Sequence, residues 1–116
     1  MAFDRDISQV SNWMTMFRWI VKLIRDEYDV PEDKLTRTAN LETDIGLTAE
    51  QTEEVISSIG GAFGVTFPDG TLDELVKFEE LCMMAAWLHG LYKTPEFLGA
   101  DYVQRARSVN PRAQAS

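Results

Sequence analysis

Apolar residues recur through residues 6–28 at Ile7, Val10, Trp13 and Met14, Phe17, Ile20 and Val21, Ile24 and Tyr28, with no proline or glycine between them. A period of about 3.6 residues predicts an amphipathic first helix. Met16, Trp19 and Leu23 lie beside that stripe rather than on it, so the apolar arc is wider than one packing partner needs. Something further must cover it. Val30-Pro31 ends the element, because the residue before a proline is pushed out of the helical region. From Asp33 to Gly46 the chain is polar, with Leu35, Leu41 and Ile45 as isolated anchors, the pattern of a loop pinned to a core.

A second helical pattern follows. Thr48 can accept from the backbone N–H of Gln51 while the Gln51 side chain reaches back, a capping box, and Val55, Ile56, Ile59, Ala62 and Phe63 then recur on one face. Gly64 supplies a left-handed residue to end the helix, and Pro68 bars a quick restart. Inside it stand Gly60 and Gly61. Each interior glycine costs about 0.5–1 kcal/mol relative to alanine, so the pair implies a close backbone approach or a bend. Thr71-Leu72-Asp73-Glu74 offers a second capping box, ahead of a stripe of Leu75, Phe78, Leu81, Cys82, Ala85 and Leu88 that runs to His89-Gly90. No breaker separates the two, which allows one fused helix.

Beyond residue 92 the pattern restarts. Thr94-Pro95-Glu96 is a good helix start, and Phe97, Leu98, Tyr102, Val103 and Ala106 follow on it. This divides the chain into a helical domain over 1–92, a helical extension over 93–108 and a tail over 109–116 that has nothing to bury and is expected to be disordered. The extension is expected to dock on the surplus surface of the first helix, Met16, Trp19 and Leu23, beside a ridge of Met84, Trp87 and Leu91. The competing arrangement is a weak homodimer in which two such patches meet.

The stretch Leu41 to Pro68, LETDIGLTAEQTEEVISSIGGAFGVTFP, resembles the acyl carrier protein family at the loop and second helix where the phosphopantetheine arm is attached. Asp44-Ile45-Gly46 and Phe63-Gly64-Val65-Thr66-Phe67-Pro68 match the family's D-L-G and F-G-V-x-I-P at the same separation, without a gap. Tyr28-Asp29-Val30, Lys34-Leu35-Thr36 and Leu41 to Asp44 extend the resemblance, which covers about residues 10 to 90. It implies an all-α fold: a four-helix carrier-like bundle, here with an additional C-terminal helix. The serine that bears the arm is replaced by Ala49, between Thr48 and Glu50 where the family has aspartate and leucine. Alanine has no hydroxyl for a phosphodiester. What the resemblance implies is therefore a non-enzymatic relative, with no cofactor, in the setting of fatty acid or lipid metabolism. Its partner would be a protein with a basic surface, met through Asp44, Thr48, Glu50, Glu53, Glu54 and Ser57, because carriers dock with the acids of this helix. An acyl or peptidyl carrier modified at another hydroxyl, such as Ser57, Ser58 or Thr48, is the alternative.

Charge agrees with a basic partner. The 116 residues carry 11 basic and 19 acidic side chains, a formal charge of −8, which disfavours nucleic acid and anionic membranes. Residues 1–90 hold 7 basic and 17 acidic residues, whereas residues 91–116 hold 4 and 2, so the extension differs chemically from the rest. The longest apolar run, Trp13 to Ile24, is interrupted by Arg18 and Lys22, and membrane insertion is not expected. One cysteine permits no internal disulfide, and MAFDRDISQ lacks the order of a signal peptide; a cytoplasmic location is expected.

Candidate chemistry is sparse. Cys82 lies on a core stripe, and His89 stands at a helix C-terminus where a cation complements the dipole; together they make no metal motif. Adjacent acids such as Glu53-Glu54, Asp73-Glu74 and Glu79-Glu80 point about 100° apart on a helix and do not share a catalytic site. Met14, Met16, Phe17, Trp19, Met83, Met84 and Trp87 read either as core or as the lining for a small apolar ligand such as a lipid.

Overall fold

The structure, a computed structural model, describes residues 13–113. Among them every regular element is helical: α1 (Trp13–Tyr28), α2 (Ala49–Phe63), α3 (Phe78–His89) and α4 (Ala100–Val109), with 3-10 turns at Glu32–Lys34 and Thr71–Glu74. The expected start of the first helix, residues 6–12, lies outside the described residues. No described helix is long and apolar enough to cross a membrane.

α1, α2 and α3 pack against one another around Met16, Ile20, Ile24, Val55, Ile59, Phe63, Phe78, Leu81, Met84, Trp87 and Leu88, all essentially inaccessible. The wide arc of α1 is explained by this arrangement, since one side of the helix faces α2 and the other faces α3. Trp19 meets Phe63 edge-on at 5.1 Å between ring centroids, and Phe17 meets Phe78 at 5.5 Å. Such aromatic pairs add about 0.5–1.5 kcal/mol beyond the area they bury. α1 stops at Tyr28 because Asp29 takes the left-handed conformation (φ 56°), which a short polar side chain tolerates, and Val30 then turns into the core.

The loop between α1 and α2 is pinned by Leu35, Leu41 and Ile45 as expected, and by Ala39 and Leu47 as well. It also starts α3. The N–H groups of Phe78 and Glu79 donate to the carbonyls of Ala39 and Arg37 (2.8 and 2.9 Å), and Leu41 N–H donates to Val76 (2.9 Å). This pairing holds residues 75–77 extended, so the turn at 71–74 and α3 are separate elements rather than one fused helix. Nor does Thr71 cap a helix: its hydroxyl donates to the Pro68 carbonyl (2.7 Å) and lies 2.6 Å from the Tyr102 hydroxyl. The acceptor at the start of α3 is the Glu80 carboxylate, which receives the N–H groups of Val76 and Lys77 (2.7 and 2.9 Å).

The C-terminal extension departs from expectation in three ways. Its helix begins at Ala100 rather than near Pro95, because the N–H of Gly99 is taken by the Glu74 carboxylate (2.9 Å), an acid supplied by another element at the positive end of α4. Its anchoring hydrogen bonds include Met84 of the expected α3 ridge, to whose Sδ the Tyr102 hydroxyl donates (3.3 Å), but the others run to the 66–74 segment rather than to α1: Arg105 Nη1 donates to the Asp69 carbonyl (2.6 Å), and the Tyr102 hydroxyl lies 2.6 Å from that of Thr71. Of the tail expected over 109–116, residues 109–113 are held in place, and residues 114–116 lie outside the described residues. Asn110 is 3% exposed, and its side-chain amide both accepts from Thr66 N–H (2.7 Å) and donates to Thr66 O (2.6 Å). Arg112 continues over the ends of α2 and α3, where its own backbone carbonyl would lie 2.8 Å from a Cβ on Gly90. With the extension folded in, the Cα radius of gyration is 13.2 Å, matching the roughly 13 Å of a compact domain of about 100 residues.

Asn110→Ala should therefore be destabilising although it removes no apolar contact. It removes the partner of the part-buried N–H and carbonyl of Thr66 and of the buried Ala106 carbonyl, and a buried unsatisfied group costs about 1–3 kcal/mol. Chemical denaturation should show a loss of about 2–4 kcal/mol, against a small change for the exposed neighbour Arg107→Ala.

Candidate functional site: the outer face of the second helix

α2 is fixed at both ends by local chemistry. Thr48 Oγ1 accepts from Gln51 N–H (3.1 Å) and Gln51 Oε1 accepts from Thr48 N–H (3.0 Å), so the capping box legible in the sequence is fully formed. At the other end Gly64 adopts φ 70°, and both Gly64 and Val65 donate back to the Gly60 carbonyl (2.9 and 3.1 Å). The inward face carries Thr52, Val55, Ile56, Ile59 and Phe63. Thr52 is satisfied by donating to the Thr48 carbonyl (2.9 Å).

The outward face carries the residues expected to meet a partner, and the structure sorts them. Ala49, Glu50, Glu53 and Ser57 are exposed, the last three on one ridge at steps of three and four. Glu54 is exposed but turned to α1, where it accepts from the Tyr28 hydroxyl (2.9 Å). Asp44 lies in the preceding loop, with one oxygen accepting from Asn40 N–H (2.8 Å). Thr48 gives its oxygen to the cap. Glu50, Glu53 and Ser57 thus share one exposed ridge, whereas Asp44 and Thr48 are engaged in local backbone hydrogen bonds.

Sequence reasoning missed what lies beside that ridge. After Gly64 the chain doubles back along α2, and residues 65–73 form the far wall of an open groove of about 810 Å³. Ile56, Val65, Phe67 and Leu72 give it apolar surface, and the exposed acids Glu53, Asp69 and Asp73 also line it. The doubled glycine was the one signal of it. A Cβ on Gly60 would sit 2.9 Å from the Val65 carbonyl, a backbone atom that cannot move aside, so the turn itself requires this glycine. A Cβ on Gly61 would meet no atom within 4 Å.

The other candidates take ordinary places. Cys82 is buried, and burial pushes its thiol well above the usual range, the condition of an inert cysteine. His89 is buried edge-on to Phe63, with Nε2 3.4 Å from Arg112 Nη1, and Arg112 Nη2 donates to the Phe63 carbonyl at the end of α2 (3.4 Å). Met16, Met84 and Trp87 belong to the core. Met14, Phe17 and Met83 instead border a second, smaller hollow of about 340 Å³ between α1 and α3, beside Arg37 and Tyr92.

Two outcomes test this geometry. Gly60→Ala should destabilise by about 1–3 kcal/mol, the size of other strained backbone changes, with thermal or urea unfolding as the measurement. The Tyr28 phenol, held up to about 12 from 10.0 first by burial and then by donating to Glu54, should ionise well above the ordinary phenol range in an ultraviolet titration, as the difference from Tyr28→Phe. The neutral phenol is favoured by folding, so its contribution to stability is intact below pH 10 and is lost as pH rises toward 12. Glu54→Gln should lower that ionisation.

Compared with protein-family models, with curated proteins and with solved structures, the chain matches none.

Proposed function

We propose that the chain is a non-enzymatic, carrier-like interaction module without a prosthetic arm, which binds a basic surface of a partner protein through α2. The observation that carries this is the start of that helix. Ala49 is exposed at the first helical position behind a complete capping box, where a carrier of the resembling family would present its serine, and a methyl group cannot be phosphopantetheinylated. From there Glu50 and Glu53 continue along the exposed ridge. Exposed acids on one helix speed encounter with a basic surface and lose that effect as salt shortens the Debye length to about 8–10 Å.

A second reading, a binder of small apolar ligands, is favoured by the hollow beside Met14, Phe17 and Met83. Lipid extracted from the purified protein distinguishes it. In the first reading no lipid co-purifies in proportion to protein.

Incubation with coenzyme A and a permissive phosphopantetheinyl transferase should leave the intact mass unchanged. A gain of one arm on the unaltered chain would mean a carrier modified at Thr48, Ser57 or Ser58 and would overturn the proposal. Thr48→Asp, Ala49→Ser and Glu50→Leu together should restore acceptance. With a partner recovered by pull-down, Glu50→Lys with Glu53→Lys should slow association about tenfold or more at low salt, with the melting midpoint nearly unchanged. Binding that survives this double reversal would mean that the ridge is only a solvated face.

A further inference from the structure

Gly61 is a residue that the fold does not need. It lies inside α2, it is exposed, its backbone is ordinary, and a side chain there would meet nothing. An interior glycine nevertheless weakens a helix relative to alanine. Its neighbour Gly60 is accounted for by the Val65 carbonyl; no close contact within the described residues accounts for Gly61. It borders the groove between α2 and residues 65–73, in the same turn as Ser57, so the α2 side of the groove is low at this end. The opposite wall is firm, because Arg105 holds the Asp69 carbonyl and Asn110 holds both backbone groups of Thr66.

The chemistry of the groove selects its occupant. Glu53, Asp69 and Asp73 are its charged lining residues and all are acidic, while Ile56, Phe67 and Leu72 offer apolar surface between them. A groove lined by both apolar and acidic side chains is complementary to a helix with one apolar ridge flanked by lysine or arginine. A bare glycine on the rim lets such a helix approach the α2 backbone closely.

We infer that this groove binds a basic amphipathic helix of a partner protein, whose apolar ridge enters between α2 and residues 65–73 and whose cationic flanks meet Glu53, Asp69 and Asp73. The inference rests on the proposed role of α2 as a partner surface and adds to it the shape of what is bound. It also assigns Gly61 a role in recognition rather than in folding.

The test uses a fluorescent 14-residue peptide of leucine and lysine with its leucines on one helical face. A control peptide has the same composition scrambled so that the leucines share no face. Anisotropy should show the first binding at least about tenfold more tightly than the second, with salt weakening both. Gly61→Leu raises the rim and Ser57→Trp fills the groove. Each should weaken the amphipathic peptide about tenfold or more, while Gly61→Leu raises the melting midpoint, since leucine is the better helix former. A gain in stability joined to a loss of binding is not an outcome that a merely structural glycine would produce. If both peptides bind alike and only Glu53→Lys weakens them, the groove is not the site, although the acidic ridge still is. If neither Gly61→Leu nor Glu53→Lys alters binding, or no cationic peptide binds, the inference and the role of α2 beneath it both fall.

Discussion

The contact on which the site depends is the one between Gly60 and the carbonyl of Val65. A helix ended by a left-handed glycine can send the chain away from its axis, but here the next residue returns close enough that a methyl group on Gly60 would lie at 2.9 Å. That approach lays residues 65–73 alongside α2 instead of beyond it. The groove, the acidic lining contributed by Asp69 and Asp73, and the position of Thr71 under Tyr102 follow from this one reversal.

A segment placed in this way needs support from its other side, and α4 gives it. What holds α4 in place combines a modest apolar face, Tyr102 and Ala106 with Leu98 just before the helix, with polar contacts along it: Glu74 at the first turn, Arg105 midway and Asn110 at the close. Such hydrogen bonds contribute about 1 kcal/mol each, and those of the buried Asn110 amide cost more when broken. The extension is therefore more exact in position than its small apolar area would suggest.

How much of this the sequence disclosed depended on whether the cause was local. The cap of α2 is written in Thr48 and Gln51, its end in Gly64, and its buried face in the spacing of Val55, Ile56, Ile59 and Phe63; all lie within a few residues of what they determine. The break at residues 75–77 was not legible, since its cause is pairing with Ala39 and Leu41, more than thirty residues away. The start of α4 was misplaced because Pro95 reads as a helix opener, whereas the acid that fixes the first turn comes from Glu74. The docking direction of the extension was misjudged for a related reason: the surplus surface of α1 was real, but α2 and α3 both cover it. Of the site, the acids on the ridge were visible in the sequence, and the wall that faces them was not.

The clamp on that wall engages backbone alone. Asn110 reads the N–H and carbonyl of Thr66, and Arg105 reads the carbonyl of Asp69, while Thr66 and Asp69 are themselves exposed. Shape and chemistry are thereby uncoupled along this edge. Positions 66 and 69 are free to exchange one side chain for another without loosening the loop, so the surface can be rewritten for a different partner while the frame that displays it stays as it is.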